Sequence, residues 1–234
     1  MGTTSAGRRA GKNNRNNDIR ESFIRAGLDL FGDYGLDGAS TRMLAQKAGA
    51  NISGIVYYFG GKEGLYRAVL QRIIDRFNEL TGEARREAWR RLEGPLGKPE
   101  LIELMRNLIT GVSRVMEGGL KVKNAEKIIL REQTGPTASF GLLYEGYMKD
   151  VLMLMTRLIS RYTGQPPDSD LAVIRAHTLV GQFVSFIATR EALLKNLGVR
   201  RLSAEQNELI RQVILGNVAA CLKAWAATEE RGQS

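Results

Sequence analysis

The sequence predicts an all-α fold of about nine helices. Apolar residues recur at three- and four-residue spacing along most of the chain, and runs rich in Gly and Pro interrupt the pattern. No segment alternates with a period of two, which argues against strands, and no fixed-period repeat indicates a solenoid. We expect a small N-terminal helical domain followed by a larger helical one.

Composition limits the possible functions. With 234 residues and 43% apolar residues, the chain can bury a substantial core. A formal charge of +9 suits an anionic partner, and it favours nucleic acid while leaving acidic membrane surfaces open. No apolar run approaches the ~20 residues of a membrane span, and the N-terminus lacks the apolar core of a signal peptide, so we expect a cytoplasmic protein without membrane contact.

Metal chemistry is not expected. Cys221 is the single cysteine and His177 the single histidine, so neither an intramolecular disulfide nor a His/Cys metal cluster can form within one chain. We therefore predict no metal and no cofactor.

Residues 1–17 are polar and basic, with Arg8, Arg9, Lys12 and Arg15 and no acidic residue. We expect a flexible arm, which either reaches DNA in the minor groove or is a solvated tail. From Asp18 an apolar stripe at helical spacing predicts a first helix that ends at Gly35. The stripe comprises Phe23, Gly27, Leu30, Phe31 and Tyr34.

Two short helices joined by a glycine turn follow between Ser40 and Lys62. Ser40 is a favourable N-cap, Gly49 suits the left-handed end of the first helix, and Asn51 can cap the second. Apolar spacing turns Leu44, Ala45, Ala48, Ile55 and Phe59 inward. Ser53, Gly54, Val56 and Tyr57 then face outward. An outer face of small and hydrogen-bonding residues is typical of a helix that enters the major groove, so the pattern predicts a helix-turn-helix.

The stretch GLDGASTRMLAQKAGANISGIVYYFGGKEGLY resembles the DNA-binding domain of the TetR family of one-component transcriptional regulators. It departs from the family at Tyr58, where many members have His, and at Val56, where Tyr is frequent. The motif and the resemblance together predict a DNA-binding domain at residues 18–65. Its predicted contact residues are Thr41, Arg42, Asn51, Ile52, Ser53, Gly54, Val56, Tyr57, Tyr58 and Lys62.

These residues divide into two predicted roles. Thr41, Tyr58 and Lys62 would hold phosphates, and the fork of Arg42 would bind guanine or phosphate unless it is simply solvated. Ser53 and Tyr57 would hydrogen-bond to base edges. Ile52 and Val56 would contact thymine methyl groups, with partial burial as the alternative.

Residues 66–234 are predicted to form a helical domain for effector binding and dimerisation. Predicted helices run from Lys62 to about Leu80, then over the approximate ranges 83–91, 100–116, 121–132, 137–162, 170–196 and 203–228. The helix from Asp170 is apolar on nearly every side, and the last helix has two apolar sides. Either these helices form a thick core, or a second copy covers them. The candidate dimer residues are Ile174, Val180, Ile187, Ile210, Ile214, Cys221 and Trp225. TetR-family dimers join through a four-helix interface, which is what the resemblance implies.

Soft and aromatic side chains with a few polar groups beyond Pro99 suit a mostly apolar ligand pocket. The candidates are Met105, Arg131, Gln133, Phe140, Tyr144, Tyr147, Met148, His177 and Phe183, and the alternative is that they are core residues. The segment ILREQTGPTASFGLLYEGYMKDVL resembles the C-terminal domain of the CecR-like subgroup. The resemblance implies a regulator that responds to a small molecule.

The resulting hypothesis is a homodimeric repressor on a palindromic double-stranded DNA operator, released by a small-molecule effector. A non-specific architectural DNA-binding protein is one alternative. An enzyme with a helix-turn-helix tether is another, but it would need a nucleophile–base pair or a metal centre, and one His and one Cys on separate helices offer little.

Overall fold

The structure is a computed structural model that describes residues 5–114 and 124–232. Its elements are α1 (Ser5–Gly38), α2 (Thr41–Ala48), α3 (Ser53–Phe59), α4 (Lys62–Leu92), α5 (Lys98–Arg114), α6 (Ala125–Thr134), α7 (Phe140–Leu143), a π-helical turn (Tyr144–Met148), α8 (Lys149–Thr163), α9 (Asp170–Ala188), α10 (Arg190–Leu197) and α11 (Ala204–Gly232). The predicted all-α class is confirmed. With α7, the π-helical turn and α8 taken as one continuous helix, these ranges contain ten helices instead of about nine.

Among the helix boundaries that differ from the prediction are those of two long helices. The helix predicted at 170–196 divides at Thr189, where φ is −108° and ψ is 19°, and this division adds α10. The helix predicted to end near Leu80 continues to Leu92, because the charged residues after it are good helix formers and contain no proline. Gly82 lies inside α4 without ending it.

The first helix begins at Ser5, so residues 5–17 are helical where the sequence predicts a flexible arm. They contain no proline, and nothing in the segment stops a helix from extending toward the N-terminus. Gly35 interrupts α1 as predicted, with a left-handed φ of 75°.

The chain forms two compact units, which we call the first and second unit. The first comprises Met1–Asp75 and Val122–Leu143, and the second comprises Arg76–Lys121 and Tyr144–Ser234. This grouping differs from the predicted boundary after residue 65, because α6 and the first half of α4 belong with the N-terminal helices.

The core of the first unit is apolar and aromatic. Its largest fully buried side chains include Phe23, Phe31, Leu44, Ile55, Leu65 and Leu70. The rings of Phe31 and Tyr66 meet edge to face, with centroids 5.0 Å apart.

Helix α6 packs against α1. Lys127 forms an ion pair with Asp33 at 2.8 Å, and Asn124 Nδ2 donates to the carbonyl of Asp29 at 3.3 Å. A Cβ at Gly32 would lie 2.4 Å from the Cβ of Asn124, so the two backbones approach closely only because residue 32 is glycine.

A buried carboxylate joins α6 to α4 within the first unit. Glu132 is 1% exposed, and the hydroxyl of Tyr66 donates to its Oε1 at 2.6 Å. The hydroxyl of Thr137 donates to the same oxygen at 2.8 Å, and the Thr137 amide donates to Oε2 at 3.2 Å. Three donors offset much of the cost of burying this group.

Stability should fall at alkaline pH because of this cluster. Burial, followed by the hydrogen bond to Glu132, raises the pKa of the Tyr66 hydroxyl above its ordinary value of 10.0. The neutral hydroxyl is favoured in the folded chain, so this contribution is complete below about pH 10 and is lost at higher pH by about 1.4 kcal/mol per pH unit. Burial also raises the pKa of Tyr147, which adds to the decline. Urea unfolding on both sides of pH 10 measures the slope, and Tyr66→Phe should flatten it; an equally steep decline in that variant would contradict the prediction.

The core of the second unit gathers residues from α4, α5, α8, α9 and α11. Its buried members include Leu101, Leu104, Leu154, Leu158, Leu179 and Leu222. Around the π-helical turn, Tyr147 stacks on Phe77 with centroids 4.6 Å apart, and Arg85 lies 5.0 Å from the Tyr147 ring and pairs with Asp150.

Two helices, α9 and α11, are long and apolar enough to cross a membrane by length and composition. The sequence analysis counted unbroken apolar runs, whereas this comparison uses the mean hydropathy of a helix that also contains polar residues. Both helices nevertheless contribute to the core of the second unit, with Phe183 from α9 and Val218 from α11 among its members.

Candidate nucleic-acid interface

Helix α2 begins and ends as its sequence predicts. The Ser40 side chain accepts a hydrogen bond from the Met43 amide at 3.2 Å, which satisfies a free donor at the helix start. Gly49 ends the helix with φ of 61°, and Leu44 and Ala45 are buried. These contacts fix the direction in which the chain enters α3.

Asn51 caps α3. Its Oδ1 accepts from the Ser53 amide at 3.0 Å and from the Ser53 hydroxyl at 2.9 Å. The hydroxyl proton of Ser53 is thus used within the motif, so this hydroxyl has acceptor capacity left for a ligand. The Asn51 amide group remains as a donor beside it.

Helix α3 divides into a buried and an exposed face. Ile55 is 1% exposed, whereas Val56 is 67% and Tyr57 is 76% exposed. Ile52 is also exposed, one residue before the helix. Large exposed apolar and aromatic side chains on one short helix are typical of a contact surface.

Gly54 does not belong to that exposed face, which corrects the prediction. A Cβ at this position would lie 2.8 Å from Cε2 of Phe23, a fully buried residue of α1. The glycine therefore allows α3 to approach α1.

The predicted phosphate contacts lie around α3. The Tyr58 hydroxyl donates to Oδ1 of Asn16 at 3.1 Å, so the ring is held against α1. Lys62 is the first residue of α4 and is half-buried, as is Thr41 at the start of α2, while Arg42 is exposed.

Sequence reasoning missed Gly64. A Cβ there would lie 1.7 Å from the carbonyl oxygen of Phe59, so only glycine allows the turn from α3 to α4. The turn itself uses Gly60 and Gly61, with φ of 73° and 133°. Arg20 of α1 covers the Phe59 ring at 5.5 Å from its centroid. The repeated glycines around Lys62 were the sequence feature that could have predicted this tight turn.

The residues predicted to bind a ligand divide between the two units. Arg131, Gln133 and Phe140 belong to the first unit, where Arg131 donates to the carbonyl of Asp33 at 3.1 Å. Met105 and Phe183 are core residues of the second unit. The others in that unit are Tyr144 and His177, which are exposed, Met148, which is half-buried, and Tyr147, which is buried.

The predicted dimer residues differ in their exposure to solvent. Ile214 is 1% exposed and fills the core of its own chain, so it cannot contact a partner, which corrects the prediction. Ile174 is exposed, and Val180, Ile187, Ile210, Cys221 and Trp225 are half-buried. Further apolar residues of α9 and α11 are exposed although they are not among the predicted dimer residues, namely Leu171, Val173, Leu209 and Val213.

Within residues 5–114 and 124–232, no group of three His, Cys, Asp or Glu side chains could hold a metal ion. The site consists of a capped pair of short helices, α2 and α3, and the outer face of α3 is uncharged and is flanked by the cations Arg42 and Lys62. The fold and this surface define a DNA-binding transcriptional regulator of the helix-turn-helix class.

Family models match both parts of the chain. Residues 23–69 match the model described as bacterial regulatory proteins, tetR family. Residues 101–225 match that of the HTH-type transcriptional dual regulator CecR, C-terminal domain. The chain belongs to the TetR family, with a CecR-type C-terminal domain, and is a transcriptional regulator, not an enzyme.

Relatives agree with this assignment. The HTH-type transcriptional dual regulator CecR of Shigella flexneri is 34% identical over 207 residues, which cover 87% of this chain and 91% of the relative. The regulator RutR of Escherichia coli K12 is 38% identical over 56 residues, 24% of this chain and 26% of RutR.

Solved structures show the same fold. A TetR-family regulator from Mesorhizobium loti has a TM-score of 0.54 and 20% identity, covering 92% of this chain and 98% of that one. A transcriptional regulator from Pseudomonas aeruginosa has a TM-score of 0.59 and 15% identity, covering 88% and 93%.

Proposed function

We propose that the protein is a homodimeric repressor that binds a palindromic operator through α2 and α3 and leaves it when a small molecule binds its C-terminal helices. The observation that carries the DNA contact is the exposure of Val56 and Tyr57 on a helix that is fixed by the Asn51 cap and by buried Ile55. We propose that the protein acts in the cytoplasm, because its proposed partner is DNA.

Each side chain has a role in the proposed complex. Tyr57 hydrogen-bonds to a base edge, Val56 and Ile52 contact thymine methyl groups, and Arg42 binds guanine or phosphate. Lys62 and Thr41 bind phosphates. Tyr58 does the same after its hydroxyl exchanges Asn16 for a phosphate oxygen. Ser53 accepts a hydrogen bond and the Asn51 amide donates one, while Gly54 acts only by letting α3 approach α1.

Fluorescence anisotropy with promoter DNA from beside its own gene tests the DNA contact. Tyr57→Ala and Arg42→Ala should each weaken operator binding by about tenfold or more, since each base contact contributes about 1–3 kcal/mol. The matched controls, Tyr144→Ala and Arg200→Ala, change exposed residues of the second unit and should bind normally. Wild-type affinity in both test variants would refute the surface, and equal affinity for operator and random DNA would favour an architectural role.

The exposed apolar residues of α9 and α11 support a dimer. Ile174 and Leu209 are both 60% exposed, and a monomer in water gains nothing from such residues in adjacent helices. A second copy would cover them and also explain why both helices are apolar enough to resemble membrane spans. Two copies would place two recognition helices on two half-sites.

Sedimentation analysis tests this interface. The wild type should have the mass of two chains at micromolar concentration, and Ile174→Glu should have the mass of one, because a buried carboxylate without a partner costs several kcal/mol. Val56→Glu is the matched control, since it adds the same charge at an exposed apolar residue of α3 and should stay dimeric. A monomeric wild type would contradict the proposal.

The direction of regulation needs its own measurement. The relative from Shigella flexneri carries the words "dual regulator" in its name, so transcripts of the neighbouring genes should be compared with and without the protein for increases as well as decreases. Repression predicts that these transcripts rise when the gene is deleted.

A further inference from the structure

A cleft of about 600 Å³ opens in the second unit beside the last turns of α4 and α8. Its volume lies in the usual range for sites that bind small organic molecules. Residues of the cleft wall include Trp89, Leu92, Arg157, Ser160, Arg161 and Gln165. None of the residues predicted for ligand binding from the sequence belongs to this wall.

One side of the cleft is apolar and held in place. Trp89 Nε1 donates to Oδ1 of Asp150 at 2.8 Å, and Asp150 also pairs with the nearly buried Arg85. These contacts fix the orientation of the indole. Leu92 extends the surface by one turn along α4, so the wall can hold a flat apolar group.

The other side is cationic. Arg157 and Arg161 lie one turn apart on α8, and both line the cleft. Arg161 is anchored, since it donates to the carbonyl of Gly94 at 2.8 Å, whereas Arg157 forms no ion pair within the described residues. Two guanidinium groups against the single carboxylate of Glu93 leave the wall with a positive excess. Planar guanidinium groups bind carboxylates in a bidentate manner.

Ser160 adds a buried hydroxyl to the wall. It is 5% exposed, and within the described residues its Oγ has no hydrogen-bond partner. Two other hydroxyl groups of α8 donate to a backbone carbonyl four residues earlier in the helix. Thr156 donates to the carbonyl of Leu152 at 2.8 Å, and Thr163 donates to that of Ile159 at 2.9 Å. A buried polar group without a partner is rare, and rotation of the Ser160 side chain toward the cleft would let a bound oxygen atom supply one.

We infer that this cleft binds an organic carboxylate with a flat apolar body, such as an aromatic carboxylic acid. Arg157 and Arg161 take the carboxylate, Ser160 donates a further hydrogen bond, and Trp89 with Leu92 covers the apolar body. This inference goes beyond the proposed function, because it assigns a site and a ligand class that binding to the protein alone can test.

Calorimetric titration of the full chain with 2-naphthoate, and with the neutral 2-naphthamide, tests the site without DNA. We expect one naphthoate per chain and an affinity for the amide that is at least about tenfold weaker, as the loss of a charge-assisted pair implies. Arg157→Gln should weaken naphthoate binding by a similar factor. Arg200→Gln, an exposed arginine outside the cleft, should bind like the wild type.

A second readout locates the ligand. In a Trp225→Phe background Trp89 is the remaining tryptophan, and naphthoate should quench its fluorescence. Equal affinity for acid and amide, unchanged binding by Arg157→Gln, absence of binding, or no quenching would each overturn the inference. Operator affinity of Arg157→Gln without naphthoate should equal that of the wild type, so failure of this site is distinguishable from failure of the DNA-binding proposal.

Discussion

Gly64→Ala should destabilise the protein by about 3 kcal/mol and abolish operator binding. The new Cβ would lie 1.7 Å from the carbonyl oxygen of Phe59. A backbone oxygen cannot rotate away as a side chain can, so the first turn of α4 must move relative to α3. Lys62 and the exposed residues of α3 would then lose their relative positions.

Thermal unfolding and anisotropy measure both effects. A loss of 3 kcal/mol lowers the midpoint by about 6–12 °C in a chain of this size. The matched control is Gly141→Ala, a helical glycine of α7 whose added Cβ would meet no atom within 4 Å. That change should leave stability equal or slightly higher. Equal unfolding midpoints and equal operator affinities for Gly64→Ala and Gly141→Ala would contradict the prediction.

Glu229→Ala should cost about 3–5 kcal/mol, because it leaves a buried guanidinium without its charge partner. Arg175 is nearly buried, and its NH2 group donates to Oε1 of Glu229 at 3.1 Å. The Gln165 amide donates to the other carboxylate oxygen, and the Trp225 ring lies 5.0 Å from the guanidinium. None of these neighbours can replace the negative charge.

Urea unfolding of neighbouring variants isolates the effect of burial. Glu230 pairs with Lys98 at 3.1 Å, but both side chains are exposed, so Glu230→Ala should cost less than about 1 kcal/mol. Replacing both Arg175 and Glu229 by Met should recover much of the loss, since no unpaired charge remains. Similar losses for Glu229→Ala and Glu230→Ala would contradict this explanation.

Sequence periodicity predicted the orientation of the motif helices well. One apolar residue per turn placed Ile55 inside and Tyr57 outside, and the structure agrees. Periodicity could not assign Gly54 or Gly64, since a glycine has no side chain and its role depends on Phe23 or on the Phe59 carbonyl across space.

Long-range packing was harder to predict. Nothing in the spacing of α6 indicates that it pairs with Asp29 and Asp33 of α1, almost a hundred residues earlier in the chain. The same limit explains Ile214: a helix with two apolar sides must use one for its own core, and composition does not distinguish that side from the other.

Helix α3, with the sequence SGIVYYF, carries no charged residue. Binding to DNA would therefore release counterions through Arg42, Lys62 and other cations outside this helix. Uncharged substitutions of Val56 and Tyr57, the base-facing residues of α3, should change which operator is preferred while the dependence of affinity on salt concentration stays the same. Sequence preference and ionic sensitivity could then evolve separately in this regulator.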